Sequence, residues 1–184
     1  YERWKFRHPS MADLREALAE GTGRRDIVEA NFDAFIYGTG RVDDRVVSIK
    51  TGELLPRSGY WTHAGKQVLV GSKAMDKAIE DRRKAWKAKH PKAKEWEGAF
   101  PYRSIVVVRR DGQAVPQVLR VRFADGSHRD MPVTTTGSWQ RFEFVTPSKA
   151  VSAQLDPDDL LRTDLSELND SRTVEADGSA SRRW

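Results

Sequence analysis

The side chains best suited to catalysis or metal binding are few in this chain and widely spaced. It contains four histidines, at His8, His63, His90 and His128, and no cysteine. No two histidines are three to five residues apart and none lies in an H-E-x-x-H sequence, so a pair of histidine ligands on one helix face is excluded. No G-x-S-x-G sequence offers a nucleophilic serine. These residues predict no catalytic, cofactor-binding or metal-binding site within the chain.

An acidic stretch near the end of the chain resembles a calcium-binding loop only in composition. Asp156, Asp158, Asp159 and Asp164 lie close together in sequence, but they lack the D-x-D-x-D-G spacing and the closing glutamate of a calcium loop. We expect these aspartates to form turns instead. The pairs Asp111-Gly112 and Asp125-Gly126 likewise indicate hairpin turns, because both residue types tolerate a positive φ.

A cluster of basic residues offers a different kind of chemistry, the binding of an anionic partner. From Lys73 to Lys94 there are nine Lys or Arg against three Asp or Glu, which is +6, so the rest of the chain sums to −1. Clustered cations attract polyanions, and a tryptophan among them could stack on a base. The predicted interaction surface consists of Arg82, Arg83, Lys84, Trp86 and Lys87. The simpler interpretation, which we favour, is a solvated helix that packs one tryptophan onto a sheet.

Hydrophobic periodicity predicts three helices. One covers residues 10–20, with Ser10 as its cap, and a second covers 26–37, with Gly38 beyond its end. Joined by a glycine-containing turn, they form a helical hairpin. The third covers residues 72–90, where the His90-Pro91 sequence ends it.

Period-two alternation predicts an antiparallel β-sandwich after the helices. Trp139 and Phe142 are predicted to anchor its core, because aromatic side chains bury large areas. Strands are expected near residues 42–49, 68–70, 102–109, 115–123, 127–133, 139–145 and 150–155.

The predicted fold class is therefore α+β, an N-terminal helical hairpin followed by an antiparallel, immunoglobulin-like β-sandwich with an inserted basic helix. The expected division is a helical hairpin over 1–41, a sandwich over 42–171 with an insertion at about 60–98, and a disordered tail over 172–184. The 184 residues, 38% hydrophobic and 32% charged, suit a globular chain of one domain or two small ones, and no apolar run is long enough to cross a membrane.

Several segments, in this order along the chain, resemble the last part of gluzincin aminopeptidases of the aminopeptidase N type. The similarity covers about residues 1–50 and 100–171. It is carried by Phe6-Arg7-His8-Pro9-Ser10, by Phe35-Ile36-Tyr37-Gly38 with Asp43-Asp44, by Leu155-Asp156-Pro157 and by residues 165–171. In that family a helical stretch closes the catalytic domain and a β-sandwich follows it. The basic insertion has no counterpart in this pattern.

The resemblance implies that the chain is a non-catalytic C-terminal region of a bacterial zinc aminopeptidase. The family's zinc ligands, general-base glutamate and transition-state tyrosine match no position here, so zinc is expected in the full-length protein and not in this chain. The implied partners are an upstream catalytic domain of the same polypeptide and, for the intact protein, a peptide substrate. The sequence does not determine the compartment; of the two, we favour the bacterial cell envelope slightly over the cytoplasm. The alternative is a free-standing sandwich whose basic helix docks an acidic protein, an anionic membrane or nucleic acid, of which nucleic acid is the least favoured.

Overall fold

Two antiparallel sheets enclose the hydrophobic core of the chain. The computed structural model describes residues 5–134, 137–161 and 163–175, apart from the side chain of His63. One sheet has three strands in the order β1-β4-β7 and the other has four in the order β6-β5-β8-β9. The strands of the two sheets are β1 (Val42–Glu53), β4 (Tyr102–Gly112), β7 (Trp139–Thr146), β6 (His128–Val133), β5 (Gln117–Phe123), β8 (Ala150–Leu155) and β9 (Ser171–Thr173). The predicted α+β class and antiparallel sandwich are confirmed.

Side-chain alternation places one face of each sheet in the core. Along β4 every second residue is fully buried up to Val108, and β7 repeats the pattern with Phe142 and Phe144. The opposing sheet contributes Leu119, Val121 and Leu155 to the same cluster. Because β-branched and aromatic side chains fit a pleated, half-buried surface, these segments form strands. The predicted boundaries of the sandwich strands agree with the structure to within a few residues.

The N-terminal hairpin consists of α1 (Met11–Thr22), α2 (Arg25–Asn31) and a π-helical turn, Phe32–Ile36, that continues α2. Ser10 and Asp13 form a reciprocal capping box at the start of α1, and Gly23 ends it in the left-handed conformation. The guanidinium of Arg25 joins the helices by an ion pair with Glu16. The predicted helical hairpin is therefore present.

The insertion between β1 and β4 begins and ends at neighbouring positions of the three-stranded sheet. Glu53 at the end of β1 pairs with Tyr102 at the start of β4. The 48 residues between them form a separate β-hairpin, of β2 (Gly59–His63) and β3 (Lys66–Val70), and then α3 (Ser72–Lys89). The sequence predicted α3 and β3, but it indicated a loop where β2 lies. Pro56, one of the loop signals, precedes the strand, whereas Gly59, another, is its first residue.

Three further expectations about the sandwich are wrong in detail. Asp111-Gly112 forms no hairpin turn, since these residues pair with Asp43 and Val42 at the end of β4. The chain then crosses to the other sheet, where β5 pairs with β6 and β8. Gly112 has a φ of 93°, and a Cβ there would collide with the carbonyl oxygen of Arg41. By contrast, Asp125-Gly126 does form the turn between β5 and β6.

The other two corrections concern Trp139 and the tail. The side chain of Trp139 is 58% exposed, because it alternates out of phase with the buried Phe142. The tail expected to be disordered from Arg172 onward begins instead as part of β9, which pairs with β8. Residues 176–184 of that predicted tail lie outside the described residues.

Candidate interaction surface

Helix α3 carries all five residues of the predicted interaction surface. It follows Gly71, ends before Pro91 and is largely surrounded by solvent. Met75 is buried, and Ile79 and Trp86 are half-buried, at the 4- and 7-residue spacing that places side chains on one helix face. This narrow stripe faces the rest of the protein.

Arg82 and Arg83 lie beside that stripe and turn toward the protein. The guanidinium of Arg82 stacks over the ring of the buried Phe100, with 4.7 Å between the guanidinium carbon and the ring centroid. Arg83 forms an ion pair with Glu53 at the end of β1. Both cations therefore help to hold the helix, and an anionic partner could use them only in competition with these contacts.

Trp86 is also engaged within the protein. Its ring stacks on that of His90, with centroids 4.6 Å apart and planes 22° apart. The Nδ1 atom of His90 lies 2.9 Å from the carbonyl oxygen of Trp86, which fixes the imidazole over the last turn of the helix. One indole face is thus covered, so Trp86 is poorly placed to stack on a nucleic-acid base.

Lys84 and Lys87, like the two arginines, are exposed to solvent. The Nζ atom of Lys84 lies 2.9 Å from the carboxylate of Glu80, four residues earlier, which raises the lysine pKa and lowers that of Glu80. Lys87 borders an open groove of about 310 Å³ between α3 and the following loop. Lys94 and Glu97 lie on the other side of this groove, so its lining carries both signs of charge.

The predicted surface therefore does not form one continuous cationic face. Arg82 and Arg83 contact Phe100 and Glu53 on one side of the helix, whereas Lys84 lies on the opposite side. The outward row contains Lys84 with Lys73 and Lys77, at spacings of four and seven residues, and all three are exposed. Sequence analysis did not name Lys73 and Lys77 as site residues, although the same helical periodicity could have separated the two faces.

A second polar cluster lies inside the sandwich, around Asp44. Its side chain is fully buried and accepts a 2.9 Å hydrogen bond from Nε of Arg110, which is 5% exposed, and another from the amide of Gln117. Burial raises the pKa of Asp44, against the opposing effect of the Arg110 cation. The other oxygen of this carboxylate, Oδ1, is buried without a hydrogen-bond partner.

Residues 156–170, which connect β8 to β9, contact this cluster. The backbone N–H of Asp44 donates to Oδ2 of Asp164 over 3.1 Å, and the N–H of Leu165 donates to the carbonyl oxygen of Val42. Burial, and then the nearby carboxylates of Asp164 and Asp44, raise the pKa of Asp170 to about 7. These contacts attach the last described strand to the first one. The arrangement is that of a structural polar network.

The remaining aspartates of the acidic stretch form turns, as predicted. The backbone N–H of Asp159 donates to the carbonyl oxygen of Asp156, whose side chain accepts from the N–H of Leu161 over 2.6 Å. Across the described residues, no three His, Cys, Asp or Glu side chains are grouped so that they could hold a metal ion. None of the described helices is long and apolar enough to span a membrane.

Comparisons of this chain with protein-family models, with curated proteins and with solved structures found no significant match.

Proposed function

We propose that this chain is the non-catalytic C-terminal accessory region of a zinc-dependent aminopeptidase, in which it braces the catalytic domain. The observation that best supports this role is the apolar surface of the helical hairpin, which the sandwich does not cover. Leu14, Leu18, Ile27 and Ile36 are each between 42% and 45% exposed. A hairpin of this kind is suited to complete the helical end of a neighbouring domain.

The hairpin buries little of its own surface. Ala19 and Phe32 are its buried residues among those described, and Phe32 contacts Tyr37 with ring centroids 6.0 Å apart. Neither α1 nor α2 packs extensively on a strand of the described chain. Fully burying a leucine or isoleucine side chain contributes roughly 1.5–3 kcal/mol, so four half-exposed side chains favour association with a further apolar surface.

We identify that surface as the catalytic domain of the same polypeptide, because the family resemblance places helical structure directly before this hairpin. Zinc would be held by that domain, where it would act as a Lewis acid in the hydrolysis of the peptide bond next to a free amino terminus. The described residues of this chain offer no group of ligands that fits zinc. The contribution of this chain would be to hold and border the catalytic domain.

The test is to express a longer polypeptide that includes the sequence preceding Tyr1 and to compare it with this chain. We expect the longer protein to hold zinc and to hydrolyse an aminoacyl-p-nitroanilide, and this chain to do neither. A longer protein without an H-E-x-x-H sequence, zinc or hydrolysis would overturn the proposal.

Matched variants test the brace itself. Leu14→Glu with Leu18→Glu places charges on the hairpin, whereas Leu160→Glu with Leu168→Glu places them at residues 81% and 82% exposed elsewhere. We expect only the first pair to lower the melting temperature of the catalytic domain in the longer protein. If the hairpin variants and the control variants have the same melting temperature, the hairpin is not the attachment surface.

The second candidate is a free-standing sandwich that uses its basic helix to dock an acidic protein, an anionic membrane or nucleic acid. The observation that favours it is the exposed row of Lys73, Lys77 and Lys84. Titration of this chain with single-stranded DNA and with anionic vesicles, at low and at physiological salt, separates these partners. No binding at low salt would exclude the two polyanion versions.

A further inference from the structure

The insertion between β1 and β4, residues 54–101, combines exposed apolar side chains with a strong positive charge. It contains eleven Lys or Arg against five Asp or Glu, a net charge of +6, while the whole chain carries +5. Its first part, residues 54–75, contains three basic residues and no acidic one. The excess positive charge of the protein therefore lies in this one segment.

The β-hairpin of this insertion has a well-defined register. Tyr60 pairs with Leu69 and Trp61 pairs with Val68, and the connection is a two-residue turn at Ala64-Gly65. Both turn residues have a positive φ, 47° and 76°, as a type I′ hairpin turn requires. Because successive side chains of a strand point to opposite faces, Tyr60 and Leu69 share one face of the ribbon, and Trp61 and Val68 share the other.

Both faces of the ribbon are in contact with solvent. Tyr60 is 73% exposed and Leu69 is 64% exposed. On the other face Trp61 and Val68 are 45% and 47% exposed, and the indole N–H of Trp61 donates to the carbonyl oxygen of Arg57. No other described helix or strand packs extensively on the ribbon. A two-stranded ribbon that shows large apolar side chains on both faces has a surface to bury elsewhere.

The cationic row of α3 begins directly beyond this ribbon. Val70 ends β3, Gly71 precedes α3, and Lys73 lies four residues after Leu69. Lys77 and Lys84 continue the row along the solvent side of the helix, where Lys84 also pairs with Glu80. The insertion thus has an exposed tyrosine–leucine pair at the base of its β-hairpin, followed along the chain by a row of lysines.

We propose that the insertion docks the protein on the surface of an anionic lipid bilayer. Tyr60 and Leu69 enter the headgroup region, where an amphipathic aromatic ring and an adjacent aliphatic side chain are both stabilised. Lys73, Lys77 and Lys84 bind the lipid phosphates, which attract Lys and Arg close to the surface. The inference concerns the insertion alone, so it holds whether or not the chain belongs to an aminopeptidase.

The same features fit a bilayer better than nucleic acid or an acidic protein. Binding to single-stranded nucleic acid relies on aromatic rings within a basic groove, but Trp86 is stacked on His90 and the open groove beside it is also lined by glutamates. An acidic protein bound through charge alone would leave the exposed tyrosine–leucine pair in water. A bilayer interface uses both the apolar pair and the cations.

The experiment is co-sedimentation of the full chain with vesicles of phosphatidylcholine alone and of phosphatidylcholine mixed with phosphatidylglycerol. We expect binding to the mixed vesicles and about tenfold weaker binding to the neutral ones, with a loss of affinity as salt increases. Tyr60→Ser with Leu69→Ser should weaken binding to the mixed vesicles about tenfold, because two apolar anchors are removed. Lys73→Gln, Lys77→Gln and Lys84→Gln together should reduce it by a similar factor.

Matched controls separate these effects from general changes in hydrophobicity and charge. Leu160→Ser with Leu168→Ser removes two more exposed leucines, and Arg122→Gln, Arg129→Gln and Arg172→Gln removes three exposed cations outside the insertion. Both control proteins should bind the mixed vesicles as the unaltered chain does. Circular dichroism of every variant reports whether the sandwich remains folded, and Tyr60→Phe should keep binding.

Two results would overturn the proposal. One is that the unaltered chain does not bind the mixed vesicles at low salt, or that the Tyr60→Ser, Leu69→Ser variant binds them as tightly as the unaltered chain does. The other is binding of single-stranded DNA as tight as that of the vesicles and insensitive to the tyrosine and leucine substitutions. That result would assign the lysine row to a nucleic-acid partner.

Discussion

At the scale of single residues, the stability of this sandwich depends on a charge that it buries. The carboxylate of Asp44 is fully buried beside Arg110, itself 5% exposed, and near Gln117. Removing both ions of such a pair is often tolerated, whereas removing one leaves an uncompensated charge away from water. The pair therefore makes β1 and β4 dependent on each other beyond their ladder of backbone hydrogen bonds.

We expect Arg110→Met to lower the free energy of unfolding by about 3–5 kcal/mol, because Asp44 then loses its charged partner. The double variant Asp44→Leu with Arg110→Met should cost much less than Arg110→Met alone. Urea denaturation of the three proteins measures the difference. A double variant as unstable as the single one would mean that the arginine acts through packing and not through the buried carboxylate.

Asp170 gives the protein a pH dependence of known sign. Its pKa of about 7 in the folded protein lies above its ordinary value of 3.8, because burial and neighbouring carboxylates disfavour the ionised form. The folded state therefore holds a proton more tightly than the unfolded one. The stability contributed by this proton is complete below about pH 4 and is lost as the pH rises through about 7.

Asp170→Asn should remove this dependence. At pH 8 we expect the variant to be more stable than the unaltered chain by on the order of 1 kcal/mol, a value that allows for solvent screening of a half-buried group. At pH 4 the two proteins should have nearly equal stability. Urea denaturation at both pH values tests this, and equal differences at pH 4 and pH 8 would show that protonation of Asp170 is not the cause.

At the scale of elements, the helical hairpin and the sandwich differ in what supports them. Short helices are marginal in water unless a partner covers their apolar stripe. The strands of the sandwich share a core that includes Val106, Val121 and Phe144, whereas Leu14 and Leu18 of α1 remain more than 40% exposed. The two parts of the chain should therefore open with different free energies.

Hydrogen exchange of the dilute chain measures this difference. We expect amides of β4, β5 and β8 to exchange far more slowly than those of residues 11–36, because local opening is easiest where few apolar contacts are lost. A hairpin of a longer protein, packed on its catalytic domain, should gain protection. Equal protection of the hairpin and the sandwich in the isolated chain would indicate one cooperative unit and would contradict the proposed division.

At the scale of the whole molecule, the proposed function assigns the chemistry to residues outside this chain. We expect the purified chain to bind no stoichiometric zinc, since its described residues provide no metal-binding group. Elemental analysis after dialysis against a zinc buffer tests the prediction, with the longer polypeptide as the comparison. One tightly held zinc per isolated chain would contradict the assignment.

Local sequence patterns determined most of the secondary structure. Ser10 with Asp13 marked the start of α1, Pro91 marked the end of α3, and alternation of apolar with polar residues, as in β5, marked strands that follow. These signals are short-range, because a capping box, a proline and a period of two act within a few residues. The basic character of α3 was likewise visible in composition alone.

Only the tertiary structure decided which side of each element meets a partner. Trp139 lies in a correctly predicted strand but on its solvent face, and Asp111-Gly112 pairs with β1 because β4 and β5 belong to different sheets. Arg82 and Arg83 contact Phe100 and Glu53, residues distant from them in sequence. The partners of Asp44 at residues 110, 117 and 164 are equally distant. Such contacts depend on how the sheets are paired and stacked, and a local pattern of residues does not specify that arrangement.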